Sequence, residues 1–279
     1  MSRIDVNYSD RPNKSLVRAR MLHIVEETFH PKHEHSENLS FITLSGFRFI
    51  DSIEFYQRFN IRNIYSIECD NDRYKRAKFN CPYCFINITE GKVKDFIDEK
   101  YSLVATMKKV IFLDYESKLI DDIISELNAV FTSGFLDTDC LLFIAFNRHF
   151  NKDTLTPRIR EIIPDDINTA DAFKSWLSDK FSYFILDMLV RKYGERKRLK
   201  EVLKAFYRDT SNMVIFGYLI SDKGASDILE TAPLEEFILP ELTFLEANYI
   251  YNNLYGDPNT IVDKMGLKLK DVETYIKYS

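Results

Sequence analysis

The chain is poor in the residues that staple and punctuate. Of its 279 residues only 8 are glycine, 8 proline and 4 cysteine, with a single tryptophan. Four thiols in a chain this long do not make a disulfide scaffold. The opening Met1-Ser2-Arg3-Ile4-Asp5 has no apolar export core, so reduced cysteines and a cytoplasmic location are expected. No stretch approaches the roughly 18 uninterrupted apolar residues of a membrane span, which excludes a membrane partner of that kind. An excess of positive charge is missing too. The 38 Lys and Arg face 43 Asp and Glu, for a net charge of -5, which argues against bulk coating of nucleic acid and leaves only local basic patches.

What is present is ordinary globular material, 45% hydrophobic and 29% charged, in a length that suits one large domain or one domain with a small appendage. The stretch that organises it runs from Phe41 to Asp70. Phe41-Ile42-Thr43-Leu44-Ser45-Gly46 is an apolar run closing on a small-residue turn, a helical segment follows, and Asn63-Ile64-Tyr65-Ser66-Ile67-Glu68-Cys69-Asp70 is a second apolar run ending in acids. Strand, tight turn, helix and strand with a terminal carboxylate is the layout of a nucleotide-binding βαβ unit. Two carboxylate oxygens suit a pair of vicinal ribose hydroxyls. Glu68 lies 22 positions after Gly46 (68 − 46), close to the roughly 20 expected. The same acid would equally serve as a solvated strand end or a helix cap, and Asp70 competes for the role.

Upstream, Leu16, Val17, Met21, Ile24, Val25 and Phe29 recur at helical spacing, with Arg18 and Arg20 on the same helix. The run His30-Pro31-Lys32-His33-Glu34-His35 reads as a solvated loop, and no metal site is expected there. Asp70 or Asn71 caps a helix running to Phe79. Cys81-Pro82-Tyr83-Cys84 has the look of a redox dipeptide, but a working pair sits after a strand and at a helix start. Here a helix precedes it and a strand, Phe85 to Ile88, follows, so packing is the expected use. Glu90-Gly91-Lys92 closes that strand and a short helix, Val93 to Asp98, follows. A strand from Lys109 to Tyr115, a helix from Lys118 to Phe131 and a strand from Cys140 to Phe146 complete a βα alternation. This predicts an α/β, Rossmann-like doubly wound sheet of about seven strands with helices on both faces. Ligands of such sheets bind beyond the carboxyl ends of the strands. Those ends are Ser45-Gly46, Glu68, Glu90-Gly91, Asp114-Tyr115 and Asn147-Arg148.

Residues 151–168 read as a long loop with a short amphipathic turn, and Ala170 to Tyr193 as a helix. The basic run from Arg191 to Lys200 reads as a solvated helix face. Phe206-Tyr207 and Met213 to Ser221 are expected to pair as a hairpin. From Leu234 the texture turns helical, with a capping box at Thr243 and Glu246. A helix–glycine–helix silhouette around Gly266 follows; Lys270 and Lys277 are offset by Asp271 and Glu273, so sequence-specific DNA binding is not expected. The expected division is residues 1–36 as a helical extension, 37–232 as the Rossmann-like domain and 233–279 as a helical appendage.

The four motifs at the strand ends resemble those of class I S-adenosylmethionine-dependent methyltransferases, in particular bacterial, archaeal and phage proteins labelled putative O-methyltransferases. The resemblance implies S-adenosyl-L-methionine as cofactor, with Thr43, Ser45 and Gly46 forming the first turn and Glu68, followed by Cys69, holding the ribose. It implies that Glu90, Gly91, Lys92 and Val93 bracket the adenine, and that Asp114 and Tyr115 lie beside the methionine end as catalytic residues. The acceptor, an oxygen or nitrogen nucleophile, is unidentified. The chain departs from the family in showing one glycine in the first turn, followed by Phe47. Asp114-Tyr115 is also not the Pro-Pro-aromatic box of enzymes that methylate amino groups of DNA. A catalytically inactive Rossmann-like binding or regulatory subunit is the alternative.

Overall fold

A computed structural model describes residues 12–31, 36–44, 46–119, 121–151, 156–208, 211–222, 232–237, 257–266, 268–270 and 272–273. Five parallel strands form one side of its sheet: β1 (Leu39–Thr43), β2 (Asn63–Glu68), β3 (Ile86–Glu90), β4 (Lys108–Lys118) and β5 (Cys140–Asn147). β1 is buried along its whole length and β5 along all but its last residue, as strands covered on both faces must be. β6 (Lys197–Arg208) and β7 (Asn212–Asp222) form an antiparallel hairpin, with β7 inserted between β5 and β6. The order is β3-β2-β1-β4-β5-β7-β6-β8. Strand order reverses between β1 and β4, and this switch point opens the ligand crevice of doubly wound sheets.

Helices cover both faces. Buried residues of α1 (Pro12–Phe29), α2 (Ile50–Phe59) and α3 (Asn71–Asn80) share one apolar cluster with Phe41, Ile64, Val110 and Phe112. α4 (Val93–Val104), α5 (Asp121–Thr132), α6 (Pro157–Ile162), α7 (Ala170–Trp176) and α8 (Ser182–Tyr193) pack with Ile42, Ile67, Ile111 and Leu113 on the other face. The two sets alternate along each strand, as the period of two requires. One π-helical turn, Leu177–Phe181, joins α7 to α8. Among the described residues no helix is long and apolar enough to cross a membrane.

Three sequence expectations are corrected. The sheet has eight strands rather than about seven. The eighth, β8 (Leu234–Phe237), pairs parallel with β6 where helix was expected. The basic run is not one helix face: α8 ends at Tyr193 and Lys197 to Lys200 open β6. Leu199, Glu201 and Leu203 are buried there while Arg198, Lys200 and Val202 are only partly so, a period-two alternation hidden by its charges. Finally, β4 does not stop at Tyr115 but runs to Lys118, with a register shift between Asp114 and Lys118.

The Thr243–Glu246 capping box lies outside the described residues. Its neighbour α9 (Pro258–Met265) is capped by Asp257, which accepts the Asn259 N–H, and ends at Gly266 in the left-handed region. Ile261 of α9 and Val272 belong to the same buried cluster as α1.

Candidate active site at the carboxyl ends of the strands

Register places the expected tips side by side. Glu90 of β3 lies opposite Glu68 of β2, Ser66 opposite Thr43 of β1, and Thr43 opposite Phe112 of β4, two residues before Asp114. By the same alternation Thr43, Ser66, Glu68 and Asp114 point to the α1–α2 face. Tyr115 points to the other. Ser45 lies outside the described residues.

Gly46 takes φ +57 and a Cβ there would meet nothing within 4 Å, so the need for glycine is purely conformational. It opens a 3-10 turn whose Phe47 ring carries the Arg76 guanidinium of α3 at 3.8 Å; the bulky residue after the glycine is thus spent on packing against α3. Glu68 is half-buried. Burial raises its pKa, and the Asp70 N–H, which donates to Oε1 at 2.9 Å, works the other way. Asp70 itself caps α3 by accepting the Arg73 N–H at 2.8 Å. Cys69 is exposed, its thiol pushed up by desolvation and by Glu68. Glu90 accepts from the Asn71 amide at 2.6 Å.

Gly91 donates its N–H to the Glu68 carbonyl at 3.0 Å and takes φ +134, and a Cβ would stand 2.9 Å from Asp95 Oδ2. That oxygen accepts the Lys92 N–H at 2.8 Å, closing the N-terminus of α4. The Lys92 ammonium reaches Asp122 at 3.0 Å. Val93 is fully in the core.

Asp114, expected at the carboxyl end of its strand, is buried within β4, which runs on past it. Lys14 Nζ of α1 donates to its Oδ2 at 2.5 Å, each side chain 9% exposed. Burial raises the Asp114 pKa and Lys14 opposes that rise. Burial also works to lower the Lys14 pKa, but Asp114 and Asp51 outweigh it and leave it raised. One turn further along α1, Arg18 Nε donates to Asp51 of α2 at 2.6 Å and its guanidinium stands 3.9 Å from Glu54. Glu54 is pushed up to about 7, chiefly by burial. Tyr115 donates its hydroxyl to Glu126 of α5 at 2.9 Å, and burial holds its pKa well above the ordinary tyrosine range. Sequence reasoning therefore missed Lys14, Arg18, Asp51 and Glu54 as neighbours of the site. The available signal was Lys14 and Arg18 falling on the apolar stripe of their helix, on the side of Val17, Met21 and Val25.

Three buried polar atoms on adjacent strands have no hydrogen-bond partner among the described residues: Thr43 Oγ1, Ser66 Oγ and Asp114 Oδ1. Buried polar atoms are nearly always matched, so three unmatched ones on one face of adjacent strands stand out. Beyond them a cleft of about 540 Å³ is lined by Glu116, Ser117, Lys118, Asn147 and His149 at the ends of β4 and β5. Cys81 and Cys84 are free thiols, Cys81 Sγ lying 3.3 Å from the Tyr83 carbonyl. His33 and His35 lie outside the described residues.

Parallel strands ordered 3-2-1-4-5 with an antiparallel β7 between β5 and β6, together with the family match that follows, make this a class I S-adenosylmethionine-dependent methyltransferase. Residues 6–279 match the model of the family described as Putative O-methyltransferase, and the chain belongs to that family. No curated protein matches it in sequence. Among solved structures it is similar to a SAM-dependent methyltransferase from Anabaena variabilis, at 10% identity and a TM-score of 0.40 over 78% of this chain and 96% of that one. It is also similar to the plantazolicin methyltransferase BpumL in complex with a triazolic desmethylPZN analog and SAH, at 11% identity and 0.44 over 76% and 86%. A third is P. horikoshii TYW2 in complex with MeSAdo, at 9% identity and 0.42 over 80% and 67%.

Proposed function

We propose that the chain transfers the methyl group of S-adenosyl-L-methionine to an oxygen or nitrogen nucleophile, and that the crevice between β2, β1 and β4 holds the cofactor. The observation that carries this reading is the trio Thr43 Oγ1, Ser66 Oγ and Asp114 Oδ1, buried side by side without partners. They fit a ligand rich in hydroxyl and ammonium donors. Glu68 accepts the ribose hydroxyls, the Gly46 turn lets backbone approach the cofactor, and Gly91 to Val93 flank the adenine with Glu90 and Cys69 nearby. Asp114 binds the ammonium of the amino-acid end. When bound, the cofactor supplies an electrophilic methyl on a sulfonium. The protein's share of the rate is orientation and exclusion of water.

The acceptor enters by the cleft lined by Glu116, Ser117, Lys118, Asn147 and His149. Tyr115 is disfavoured as a base, because its phenol donates to Glu126 on the far face and resists ionisation. His149 stands on the cleft wall, where its imidazole can take the acceptor's proton. The thiols are free, which supports a cytoplasmic location.

The test is a titration with S-adenosylhomocysteine followed by calorimetry and a melt. A specific ligand at a hundredfold excess over its dissociation constant adds about 2.7 kcal/mol to stability. A folded protein whose melt does not move at millimolar ligand has no such site, and the binding-subunit alternative takes over.

A further inference from the structure

We propose that Lys14 of α1 is a cofactor-binding residue: with Asp114 it forms a paired site for the zwitterionic amino-acid end, Asp114 taking the ammonium and Lys14 the carboxylate. This rests on the cofactor reading above. Two ion pairs leave the same face of α1 one turn apart, and they are built differently. Arg18 meets Asp51 at 2.6 Å and Glu54 at 3.9 Å, and neither it nor its acids leave a buried side-chain atom unmatched. Lys14 meets Oδ2 of Asp114 at 2.5 Å, and the other oxygen of that carboxylate, Oδ1, is buried with no partner among the described residues.

A buried ion pair repays its desolvation only when its remaining lone pairs are satisfied. As a strut between α1 and β4, the Lys14–Asp114 pair is therefore poor. As half of a binding site it is well formed. An α-amino acid carries an ammonium and a carboxylate on one carbon, so the group that recognises it must present an anion and a cation side by side. Oδ1 offers the anion, and the ammonium held on Oδ2 of the same carboxylate offers the cation. Thr43 Oγ1, on the neighbouring strand and also unmatched, adds a hydroxyl able to donate or accept.

The test compares S-adenosylhomocysteine with its decarboxylated analogue by calorimetry, on wild type and on Lys14→Gln, whose amide still hydrogen-bonds Asp114 without a charge. Wild type should bind S-adenosylhomocysteine at least about tenfold more tightly than the analogue. Lys14→Gln should weaken S-adenosylhomocysteine by about ten- to a hundredfold while leaving the analogue within about twofold, the non-additivity of a direct contact. If Lys14→Gln does not fold, Lys14→Arg keeps the charge and should keep the discrimination; losing it overturns the inference. A wild type that binds both ligands equally, or a Lys14→Gln that weakens both equally, overturns it too and leaves the cofactor reading standing. A wild type that binds neither ligand overturns both.

Discussion

The two ends of the parallel sheet treat buried polarity in opposite ways. At the amino end Lys109 is fully buried, yet its ammonium donates to the Met107 carbonyl at 3.1 Å and to Thr138 Oγ1 at 2.5 Å. The Thr138 hydroxyl donates in turn to Met107 at 2.6 Å, and Lys197 reaches Asp222 at 2.5 Å. Unmatched atoms at that end, such as the Tyr193 hydroxyl, do not stand side by side on neighbouring strands. At the carboxyl end they do, on β2, β1 and β4, amid the acids and bases of α1, α2 and β4. Polarity at the amino end mostly closes on the protein's own groups, while at the carboxyl end three neighbouring atoms have no partner among the described residues.

The comparison breaks most visibly at Arg18. Arg18→Met keeps the apolar stem but leaves Asp51, only 7% exposed, without its partner. Removing one member of a buried pair costs about 3–5 kcal/mol, so urea denaturation should show a loss of that order. A loss under about 1 kcal/mol would mean that the carboxyl-end charges are solvated after all.

Glu68 sharpens the contrast by separating affinity from stability. Glu68→Gln should weaken S-adenosylhomocysteine binding by about ten- to a hundredfold, the loss of a charge-assisted hydrogen bond worth about 1.5–3 kcal/mol, with the ligand-free melt nearly unchanged. Asp70→Ala is the control. Because Asp70 caps α3 through Arg73, it should cost stability, about 1 kcal/mol, and leave affinity alone. Calorimetry and melts on the pair decide it, and exchanged outcomes would move the ribose to Asp70.

Glu54 gives the carboxyl end a pH signature. Its carboxyl sits at about 7 in the fold against 4.5 for the ordinary group, so the folded protein binds the proton more tightly. Its contribution is full below pH 4.5, falls as pH rises from there through 7, and is constant above. The gap corresponds to at most about 3 kcal/mol, and with the side chain 34% exposed screening reduces this to roughly 1–2 kcal/mol. Glu54→Gln should flatten stability between pH 5 and 8 by that amount in denaturation series at several pH values. An unchanged slope would return Glu54 to ordinary solvent.

Much of the fold is written in apolar runs. β1 to β5 and the helices between them follow from strands apolar on both faces and helices apolar on one. The hairpin was partly visible, but the start of β6 was obscured because Lys, Arg and Glu occupy its alternating positions, and β8 is four residues with two acids. The tips at Gly46, Glu68 and Gly91 were readable because glycine conformation and strand-end acids leave marks at fixed spacing. Lys14, Arg18 and Asp51 were not. A charged side chain on an apolar stripe reads the same whether it snorkels to water or turns inward to a partner, and the partner lies 100 residues away for Lys14.

The smallest effect is expected at Lys109, and it tests the amino end directly. Burial lowers the pKa of this ammonium, a sign that its desolvation is not repaid by a carboxylate. Lys109→Met removes two hydrogen bonds to neutral acceptors and with them the buried charge. The Met107 carbonyl does not become an orphan, since Thr138 still donates to it at 2.6 Å. Methionine fills the stem's volume beside Phe135, whose ring centroid lies 5.8 Å from the ammonium. Replacing a buried polar group by an apolar one of similar shape costs little when the groups it touched keep each other as partners, as Thr138 and Met107 do. The change at pH 7 should therefore stay within about 1 kcal/mol in either direction. As pH rises toward 10.5, the deprotonated wild type loses its burden and gains on the mutant. A loss of about 3 kcal/mol at pH 7, comparable to Arg18→Met, would mean that both ends of the sheet depend on buried charge alike, and the unmatched atoms of the carboxyl end would no longer set it apart.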